Sequence, residues 1–328
     1  MIHLKRLSGM GISQFFQLPF NVYLARNLPL SALRAYLYLW GFLYMIIKIQ
    51  MCANIAVCLS IMKNGKGIPL PIIVNLFRAV VGVFEHYLEK MVMAYRPLEE
   101  TTGYLRQRLT VSNRHMLDVL ARQGKGAILV TGHFGAVEYL PLALAMSGYK
   151  VAMICRFKTK SLKKALIEKA EHFGVMLIDA DEPRVAFRAL KAIKDGRFLV
   201  TECDEFSEWR FHREQKVQVF GRIMPRDRTL DFFFKKAKVP AFMTLIHRQG
   251  NSFHLSVDFL ADGRTTDSVS AHAWKKLEDY ISKFPFQWYQ IKGASKFILE
   301  HSIEPERVDR RADQNIPGTD SIFSPSFS

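Results

Sequence analysis

The sequence predicts an α/β fold with a largely parallel central sheet flanked by helices, preceded by an N-terminal membrane-anchoring helix. Three observations support this prediction. Short β-prone apolar runs alternate with helical stretches from residue 126 to residue 201. The helical stretches stop at glycines, such as Gly148, Gly174 and Gly196. A long apolar segment at residues 35–62 precedes this alternation.

The apolar segment at residues 35–62 carries only one charge, Lys48. It is long enough to cross a bilayer, which takes roughly 20 residues. A lysine near the bilayer centre costs about 2.5 to 3.5 kcal/mol, and Gln50 and Asn54 also interrupt the run. No small-residue cleavage site of a secretory signal follows it. We therefore expect one anchoring helix that either spans the membrane or lies in its interface; a buried soluble helix is the alternative.

The elements after this segment follow from hydrophobic periodicity and from glycine or proline stops. Residues 71–96 carry apolar side chains at spacings of three and four, which predicts a long amphipathic helix. Further helices are predicted at residues 114–122, 139–146, 161–173 (capped by Ser161), 183–194 and 229–236. Strands are predicted at residues 104–111, from Gly126 to the glycine at 132, and at 151–154, 175–178, 198–201, 217–220, 241–247 and 253–259.

Three regions follow from this pattern. Residues 1–70 form an N-terminal membrane-associated segment, and residues 71–300 form one large domain with no visible internal repeat. Residues 301–328 are rich in charge, proline and serine with few aliphatics, which predicts a disordered tail.

The charge balance points to anionic partners. Forty-six basic residues against thirty acidic residues give a net charge of +16. Basic clusters at residues 156–169 and 222–238 accompany a membrane anchor, which favours anionic lipid or an acidic carrier protein over nucleic acid. The phenylalanines at 232–234 are nearly consecutive, which is more typical of a core than of base stacking. A generally basic, solvated surface is the alternative.

Cysteine and histidine usage argues against disulfides and metals. The four cysteines show no CxxC pair, which indicates a reduced compartment. No HExxH or paired Cys/His spacing occurs, so we predict no metal and no cofactor. Cys203 as a nucleophile requires a lowered pKa, of which the sequence gives no sign.

The most informative stretch runs from residue 127 to residue 138. Four β-prone apolar residues lead to Gly132, His133, Gly135 and then Glu138. In a regular helix, residues five apart diverge by roughly 140°, so His133 and Glu138 meet only if the chain bends, and Gly135 permits a bend. Such a pair suits general-base catalysis, with the carboxylate holding the other ring nitrogen. A strand-end histidine capped by an acid, with no reaction, is the alternative.

This stretch resembles the HX4(D/E) signature of the lipid A biosynthesis lauroyl/myristoyl acyltransferases, within the lysophospholipid acyltransferase-like superfamily. The resemblance implies that His133 deprotonates the acceptor hydroxyl and that Glu138 orients it. The family usually has Asn-Trp before the acid, whereas this chain has Ala136 and Val137.

Two further strand ends resemble family blocks. Arg156 follows a strand in a block like the family's Tyr-Arg-Pro, which implies contact with a phosphate of donor or acceptor; a solvated cation is the alternative. Glu202 and Asp204 stand at the acid positions of a Pro-Asp-Gln-Asp-like block. These acids either bind an acceptor hydroxyl, hold cationic side chains, or form a solvated loop.

A closing block near the carboxyl end completes the resemblance. Pro285, Gln287 and Trp288 match the family's Pro-Glu-Gln-Trp/Tyr-x-Trp block, and we expect the aromatic rings there to close the core rather than line an acyl chain.

The resemblance implies an acyltransferase that moves a fatty acyl chain from an acyl carrier protein or coenzyme A thioester to a lipid or glycolipid acceptor, lipid A-like or related. We expect the domain at residues 71–300 to be the acyltransferase domain, on the cytoplasmic side of the inner membrane. Two alternatives remain open: a catalytically idle, membrane-anchored lipid- or carrier-binding protein, and a thioesterase that uses water as acceptor.

Overall fold

A seven-stranded sheet organises the protein. The computed structural model describes residues 12–63, 72–157, 159–264 and 268–303. The strand order is β1-β9-β8-β2-β5-β3-β4, and every neighbouring pair is parallel except the antiparallel pair β8 and β9. The predicted α/β class with a largely parallel sheet is confirmed.

The strands and helices alternate along most of the chain. The strands are β1 (Leu109–Ser112), β2 (Ala127–Thr131), β3 (Val151–Cys155), β4 (Met176–Asp179), β5 (Phe198–Glu202), β6 (Phe211–Val219), β7 (Arg222–Asp227), β8 (Ala241–Gln249) and β9 (Ser252–Ala261). β6 and β7 form a separate antiparallel hairpin.

The helices before β2 are α1 (Ile12–Phe15), α2 (Pro19–Asn27), α3 (Leu30–Ile47), α4 (Ile49–Lys63), α5 (Ile72–Tyr95), α6 (Leu98–Arg106) and α7 (His115–Arg122). Those after it are α8 (Leu140–Met146), α9 (Lys160–His172), α10 (Val185–Lys194), α11 (Thr229–Ala237), α12 (Val269–Lys283) and α13 (Ala294–His301). Short 3₁₀ turns lie at Val137–Tyr139, Phe206–Glu208, Pro285–Gln287 and Tyr289–Lys292.

The strand that carries the motif lies near the middle of the sheet. β2 is flanked by β8 and β5, and all five of its residues are buried. Strands covered on both faces consist of continuous apolar residues rather than an alternating pattern, as residues 127–130 do. In the parallel register between β2 and β5, Thr131 lies beside Glu202, so both strands deliver their next residues to the same edge.

Two helices replace the single apolar helix expected at residues 35–62. α3 and α4 are separate because the helix ends at Lys48, whose backbone leaves the helical region at φ −111° and ψ 59°. The break places Lys48 between two apolar helices rather than in the middle of one. α3 itself is long and apolar enough to cross a membrane, by length and composition. Such a helix suggests association with a membrane.

One face of α3 packs on α5. Leu33, Leu37 and Gly41 are buried, and a Cβ at Gly41 would lie 2.8 Å from the ring of Phe84, so a glycine allows close approach. Large apolar side chains remain exposed on the rest of α3, namely Leu39 (58%), Phe42 (54%), Ile46 (64%) and Ile47 (71%). This exposed apolar face is typical of a surface that meets lipid.

Two local predictions were wrong, and several elements were not predicted. The strand expected at residues 104–111 begins only at Leu109, because α6 occupies residues up to Arg106. The cap of α9 is Thr159, whose hydroxyl accepts from the Leu162 N–H, rather than Ser161. The sequence did not predict α1, α2, β7, α12 or α13.

The carboxyl end of the described chain pairs with the hairpin. Ile303 forms an antiparallel bridge with Ile223. The disordered tail predicted from residue 301 lies, from residue 304 onward, outside the described residues. The domain boundary expected at residue 70 also lies there, so the three-part division remains a prediction.

Candidate active site

The site is built where β2 and β5 end side by side. The N–H of Cys203 donates to the carbonyl of Thr131 over 2.8 Å, which continues the ladder one step past β2. His133 lies shortly after the end of β2, and Asp204 lies shortly after the end of β5. The carboxyl ends of parallel strands are where such sheets place their sites.

Two glycines shape the loop after β2. A Cβ at Gly132 would lie 2.7 Å from Leu277 Cδ2 and 3.2 Å from Asp204 Oδ2. Gly135 has φ +60°, and a Cβ there would lie 2.0 Å from the carbonyl oxygen of Ile246. The bend predicted at Gly135 is therefore present, and only glycine fits it.

Asp204 holds His133 through both backbone and side chain. His133 Nδ1 lies 3.0 Å from Asp204 Oδ1, and the backbone N–H of His133 donates to both carboxylate oxygens at 3.0 Å. The indole N–H of Trp288 donates to Asp204 Oδ2 over 2.8 Å. Asp204 is 0% exposed, so these donors replace its hydration. Because a carboxylate only accepts, it fixes the proton on Nδ1 and leaves Nε2 for the reaction side.

Two more carboxylates face the other ring nitrogen. His133 Nε2 lies 3.4 Å from Glu202 Oε2 and 3.5 Å from Glu205 Oε2. Burial lowers the pKa of His133, but Glu202, Asp204 and Glu205 raise it by more, to about 10. Burial also raises the pKa of Glu202 to about 7, with help from Asp204 and Glu205. At neutral pH His133 is therefore an imidazolium.

Glu138 has other partners. Its Oε1 lies 3.2 Å from His86 Nε2 and 2.9 Å from Lys90 Nζ, both on α5. The motif suggested that Glu138 contacts His133. Within the described residues, no ion pair joins these two side chains. The physical reason is the 3₁₀ turn at Val137–Tyr139, which contains Glu138 and directs its side chain toward α5. The orienting carboxylate of His133 in this structure is Asp204.

His86 forms a second histidine–carboxylate pair beside the first. Burial and the neighbouring Lys90 lower the pKa of His86 well below its usual range, so it is neutral. Its Nδ1 has no hydrogen-bond partner among the residues described. The ring of Tyr289 stacks on His86 at 4.0 Å between centroids and lies 6.1 Å from the ring of His133.

A cavity of about 1690 Å³ joins these groups. One part of its lining is apolar, consisting of residues such as Met153, Leu162, Leu166, Phe173 and Leu177. Another part is basic, with Arg210, Arg226, Arg228, Lys235 and Lys238. The predicted site residues His133, Glu138 and Glu202 also line the cavity, together with Glu205. The space they open onto is larger than typical small-ligand pockets.

Arg156 lines the same cavity but is already paired. Its Nε lies 2.9 Å from Asp181 Oδ1, and its Nη1 contacts Glu208. The hydrogen bonds that Arg156 donates to Glu208 and Asp181 raise its pKa, so the guanidinium stays charged. A phosphate at Arg156 must therefore compete with two carboxylates.

Cys203 is buried, and burial together with Asp204 raises its pKa well above the usual value. The structure thus favours an inert thiol, as the sequence indicated.

The aromatic block after α12 closes over the motif loop. Trp288 is 1% exposed and belongs to the core, as expected, while Tyr289 lines the cavity. The Tyr289 N–H donates to the His133 carbonyl over 2.7 Å, and the Gly135 N–H donates to the Gln287 carbonyl over 2.8 Å.

Sequence reasoning missed Glu205, His86 and Lys90. Glu205 is the residue after the quoted acid block, so extending that block by one position would have found it. His86 and Lys90 stand four apart on a mostly apolar helix, which puts them on one face.

One group of side chains could hold a metal ion. Ligand atoms of His133, Glu202 and Glu205 lie within 4.8 Å of one another. An imidazole with two carboxylates is a donor set that divalent transition metals accept.

Comparison with known families supports an enzyme. The family described as bacterial lipid A biosynthesis acyltransferase matches residues 26–293. A search of curated proteins found no significant match. The match spans most of the chain and includes the motif loop, α5 and the closing aromatic block. The chain therefore belongs to the bacterial lipid A biosynthesis acyltransferase family.

Proposed function

We propose that this acyltransferase moves a fatty acyl chain from a thioester to a hydroxyl or amine of a lipid or glycolipid, with His133 as general base. The observation that carries this proposal is the His133 ring itself. It is oriented by a buried carboxylate 3.0 Å away and lines a cavity with an apolar part. The apolar part suits an acyl chain, and the basic part suits anionic groups on donor or acceptor.

The chemistry follows from the two ring nitrogens. Nδ1–H is held by Asp204, so Nε2, once neutral, takes the proton of the acceptor as it attacks the thioester carbonyl. The carbon–sulfur bond then breaks, and the protonated imidazole returns its proton to the leaving thiolate. Asp204 stabilises the imidazolium in between. No covalent enzyme intermediate is needed.

In this proposal, cations that line the cavity stabilise the tetrahedral oxyanion. Lys90 is held by Glu138, and Arg156 by Asp181 and Glu208. Burial lowers the pKa of Lys90, but Glu138 raises it by more, so Lys90 remains charged. In this proposal Glu138 acts by positioning Lys90 and His86, and Glu202 faces the acceptor.

The donor and the location belong to the same proposal. An acyl carrier protein or coenzyme A thioester is the donor, since both present anionic surfaces to the basic residues around the cavity. We place the catalytic domain on the cytoplasmic side of the inner membrane, where such thioesters are made, with α3 as the anchor.

The test uses purified full-length protein, a labelled acyl thioester and a lipid extract. We expect label in the lipid fraction, and a loss of about 100-fold or more in His133→Ala, since general-base catalysis supplies at least that factor. His115→Ala, an exposed histidine on α7, is the matched control and should retain the wild-type rate. Transfer undiminished in His133→Ala would contradict the proposed role.

One feature favours an idle binding protein instead: the carboxylates around His133 raise its pKa to about 10, and an imidazolium is not a base. That alternative predicts no transfer at all in this assay. A thioesterase would release free fatty acid at the same rate with and without lipid.

A further inference from the structure

We propose that α3 does not span the membrane but lies flat on one leaflet, in a docking surface that α2, α4 and α5 complete. The partner of this surface is a bilayer of anionic lipid. Docking of this kind holds the cavity next to lipid, and it does not depend on the proposed acyl transfer.

α3 is fixed to the catalytic domain along one side. Arg34 Nε lies 2.8 Å from Glu85 Oε1, and the hydroxyl of Tyr38 also donates to Glu85. Glu85 directly precedes His86, which lines the cavity. The buried face of α3 packs along the same helix, α5. A helix held against the wall of the site in this way cannot leave the domain to cross a bilayer on its own.

The charges at the two ends of the apolar stretch leave it too short for a span. Arg34 and Lys48 bracket residues 35–47, and these thirteen residues extend roughly 20 Å as a helix. A hydrocarbon core is about 30 Å thick, so one of the two charges would lie inside it. After Lys48 the chain turns back, because α4 packs against the 3₁₀ turn at Tyr289–Lys292. The chain therefore enters and leaves this region on the same side of the membrane.

Exposed apolar side chains are concentrated on the helices around α3. Among the described residues, twelve of the twenty large apolar side chains that are exposed lie between Phe20 and Phe77. On α3 they follow spacings of three and four, on the side of the helix opposite buried Leu37. On α2 the exposed side chains are Phe20 (65%) and Tyr23 (63%). An apolar surface that several helices share is too large to be a chance exposure of single residues.

The first turns of α5 extend this surface. α5 runs antiparallel to α3, because Arg96 donates to the Leu28 carbonyl at one end and Phe84 packs on Gly41 and Tyr44 further along. The start of α5 therefore lies at the same end as the last turn of α3. The exposed apolar side chains at this end are Ile46, Ile47, Ile49, Ile73, Val74 and Phe77. Such a shared face suits the plane of a bilayer, as interfacial helices do.

The charge of this region points to anionic lipid. Residues 1–84 contain eight basic residues and no acidic residue, and the first acid, Glu85, is paired with Arg34. This quarter of the chain therefore supplies half of the net charge of +16. Arg26, Lys48 and Arg78 are exposed close in sequence to the apolar side chains. Cations beside an apolar surface attract a bilayer that carries negative headgroups.

Protease accessibility tests the orientation. Inverted inner-membrane vesicles, prepared from cells that make the full-length protein with an amino-terminal tag, expose their cytoplasmic face to added protease. We expect the tag and the catalytic domain both to be cut without detergent, while a resident periplasmic protein inside the vesicles stays intact. A spanning α3 would put the tag and the catalytic domain on opposite faces. Protection of only one of them until detergent is added would therefore overturn the flat orientation.

Vesicle binding by the purified full-length protein tests the lipid. We expect binding to phosphatidylcholine vesicles that contain phosphatidylglycerol to be about tenfold tighter than binding to phosphatidylcholine alone, and added salt should reduce the difference. Equal binding to the two kinds of vesicle would overturn the preference for anionic lipid. Binding to neither would overturn the surface itself.

A variant pair assigns the binding to the part of the surface outside α3. Phe77→Asp places a charge on α5 where the side chain is 56% exposed, and it should weaken vesicle binding by about tenfold. Phe187→Asp, at a phenylalanine that is 66% exposed on α10, is the matched control and should bind as wild type does. Equal binding by the two variants would contradict a surface shared with α5.

These measurements separate membrane docking from catalysis, because none of them needs acyl transfer. We expect His133→Ala to bind vesicles as wild type does. Failure of the docking measurements would leave the proposed function standing, and loss of transfer with intact docking would leave the surface standing.

Discussion

At the residue scale, the proposed general-base mechanism depends on Asp204. This carboxylate is fully buried and accepts hydrogen bonds from three donors. A buried carboxylate that loses its charge leaves its donors poorly matched. Because Nδ1–H of His133 is one of those donors, the charge also sets the tautomer.

The variant Asp204→Asn keeps the shape and removes this charge. We expect kcat for acyl transfer to fall by about 100-fold or more, because the amide no longer fixes the proton on Nδ1. Steady-state transfer to a lipid extract measures it, with Asp195→Asn, an exposed acid after α10, as the matched control. A kcat within twofold of wild type would remove Asp204 from the mechanism.

The raised pKa of His133 makes the stability depend on pH. Its pKa is about 10 in the folded protein against 6.5 for an unperturbed histidine, so the folded state binds the proton more tightly. The stabilisation is therefore complete below pH 6.5 and is lost as the pH rises through 10.

We expect the free energy of unfolding of wild type to exceed that of His133→Gln by an amount that shrinks from pH 6 to pH 10. Urea unfolding at fixed detergent, at several pH values, measures this difference. His115→Gln, an exposed histidine, should show no such trend. A difference that grows with pH would mean that the imidazole is neutral in the folded state.

The sequence predicted His133, Glu202 and Asp204 as site residues, and the structure brings these three together. It did not predict that Asp204 rather than Glu138 holds His133. Spacing along the chain shows that Glu138 is near, but not where its side chain points after a bend. Asp204 is 71 residues away, and only the pairing of β2 with β5 reveals the contact.

At the scale of elements, the loop after β2 is sensitive to substitution at Gly135. Gly135 combines a positive φ with a Cβ position 2.0 Å from a backbone oxygen. Backbone atoms cannot move aside as a flexible side chain can, so both the strain and the overlap have to be relieved by moving the loop.

Gly135→Ala should therefore lower the free energy of unfolding by more than 1 to 3 kcal/mol, roughly the cost of an unfavourable φ alone, and reduce transfer. Gly124→Ala is the control, since Gly124 also has a positive φ, +65°, but nothing within 4 Å of its Cβ position. Chemical denaturation of both variants measures the difference. Equal losses of unfolding free energy in the two variants would show that the close approach of Gly135 to the Ile246 carbonyl does not add to the cost of the substitution.

The apolar face of α3 gives an element-scale prediction about the membrane. Ile46→Asp with Ile47→Asp should shift the protein from the pellet to the supernatant in vesicle sedimentation, because both side chains are more than 60% exposed. Ile223→Asp, an exposed isoleucine on the β6–β7 hairpin, is the control. Unchanged sedimentation of the double variant would exclude this face as the lipid contact.

At the scale of the whole molecule, the alternation of apolar strands with glycine-terminated helices was sufficient to predict the α/β class. The lateral order of the strands was not predictable, because β2 pairs with β5 and β8, which follow much later in the chain. The break at Lys48 was also missed, since composition alone does not distinguish one apolar helix from two.

The charge distribution is likewise a property of the whole fold. The chain carries a net charge of +16, yet the folded chain gathers carboxylates around His133 at one part of the cavity. Basic residues from the hairpin and α11 line the same cavity. Such a lining suits a substrate that carries both anionic groups and an acceptor group.

Mass spectrometry of the lipids of the native cell tests most directly whether His133 catalyses acyl transfer to a lipid. Cells carrying the wild-type protein are compared with cells in which only His133 is changed to Ala and the protein level is the same. If His133 is the general base of acyl transfer, one lipid species lacks a single acyl chain in the variant. Identical lipid profiles in the two strains would contradict it.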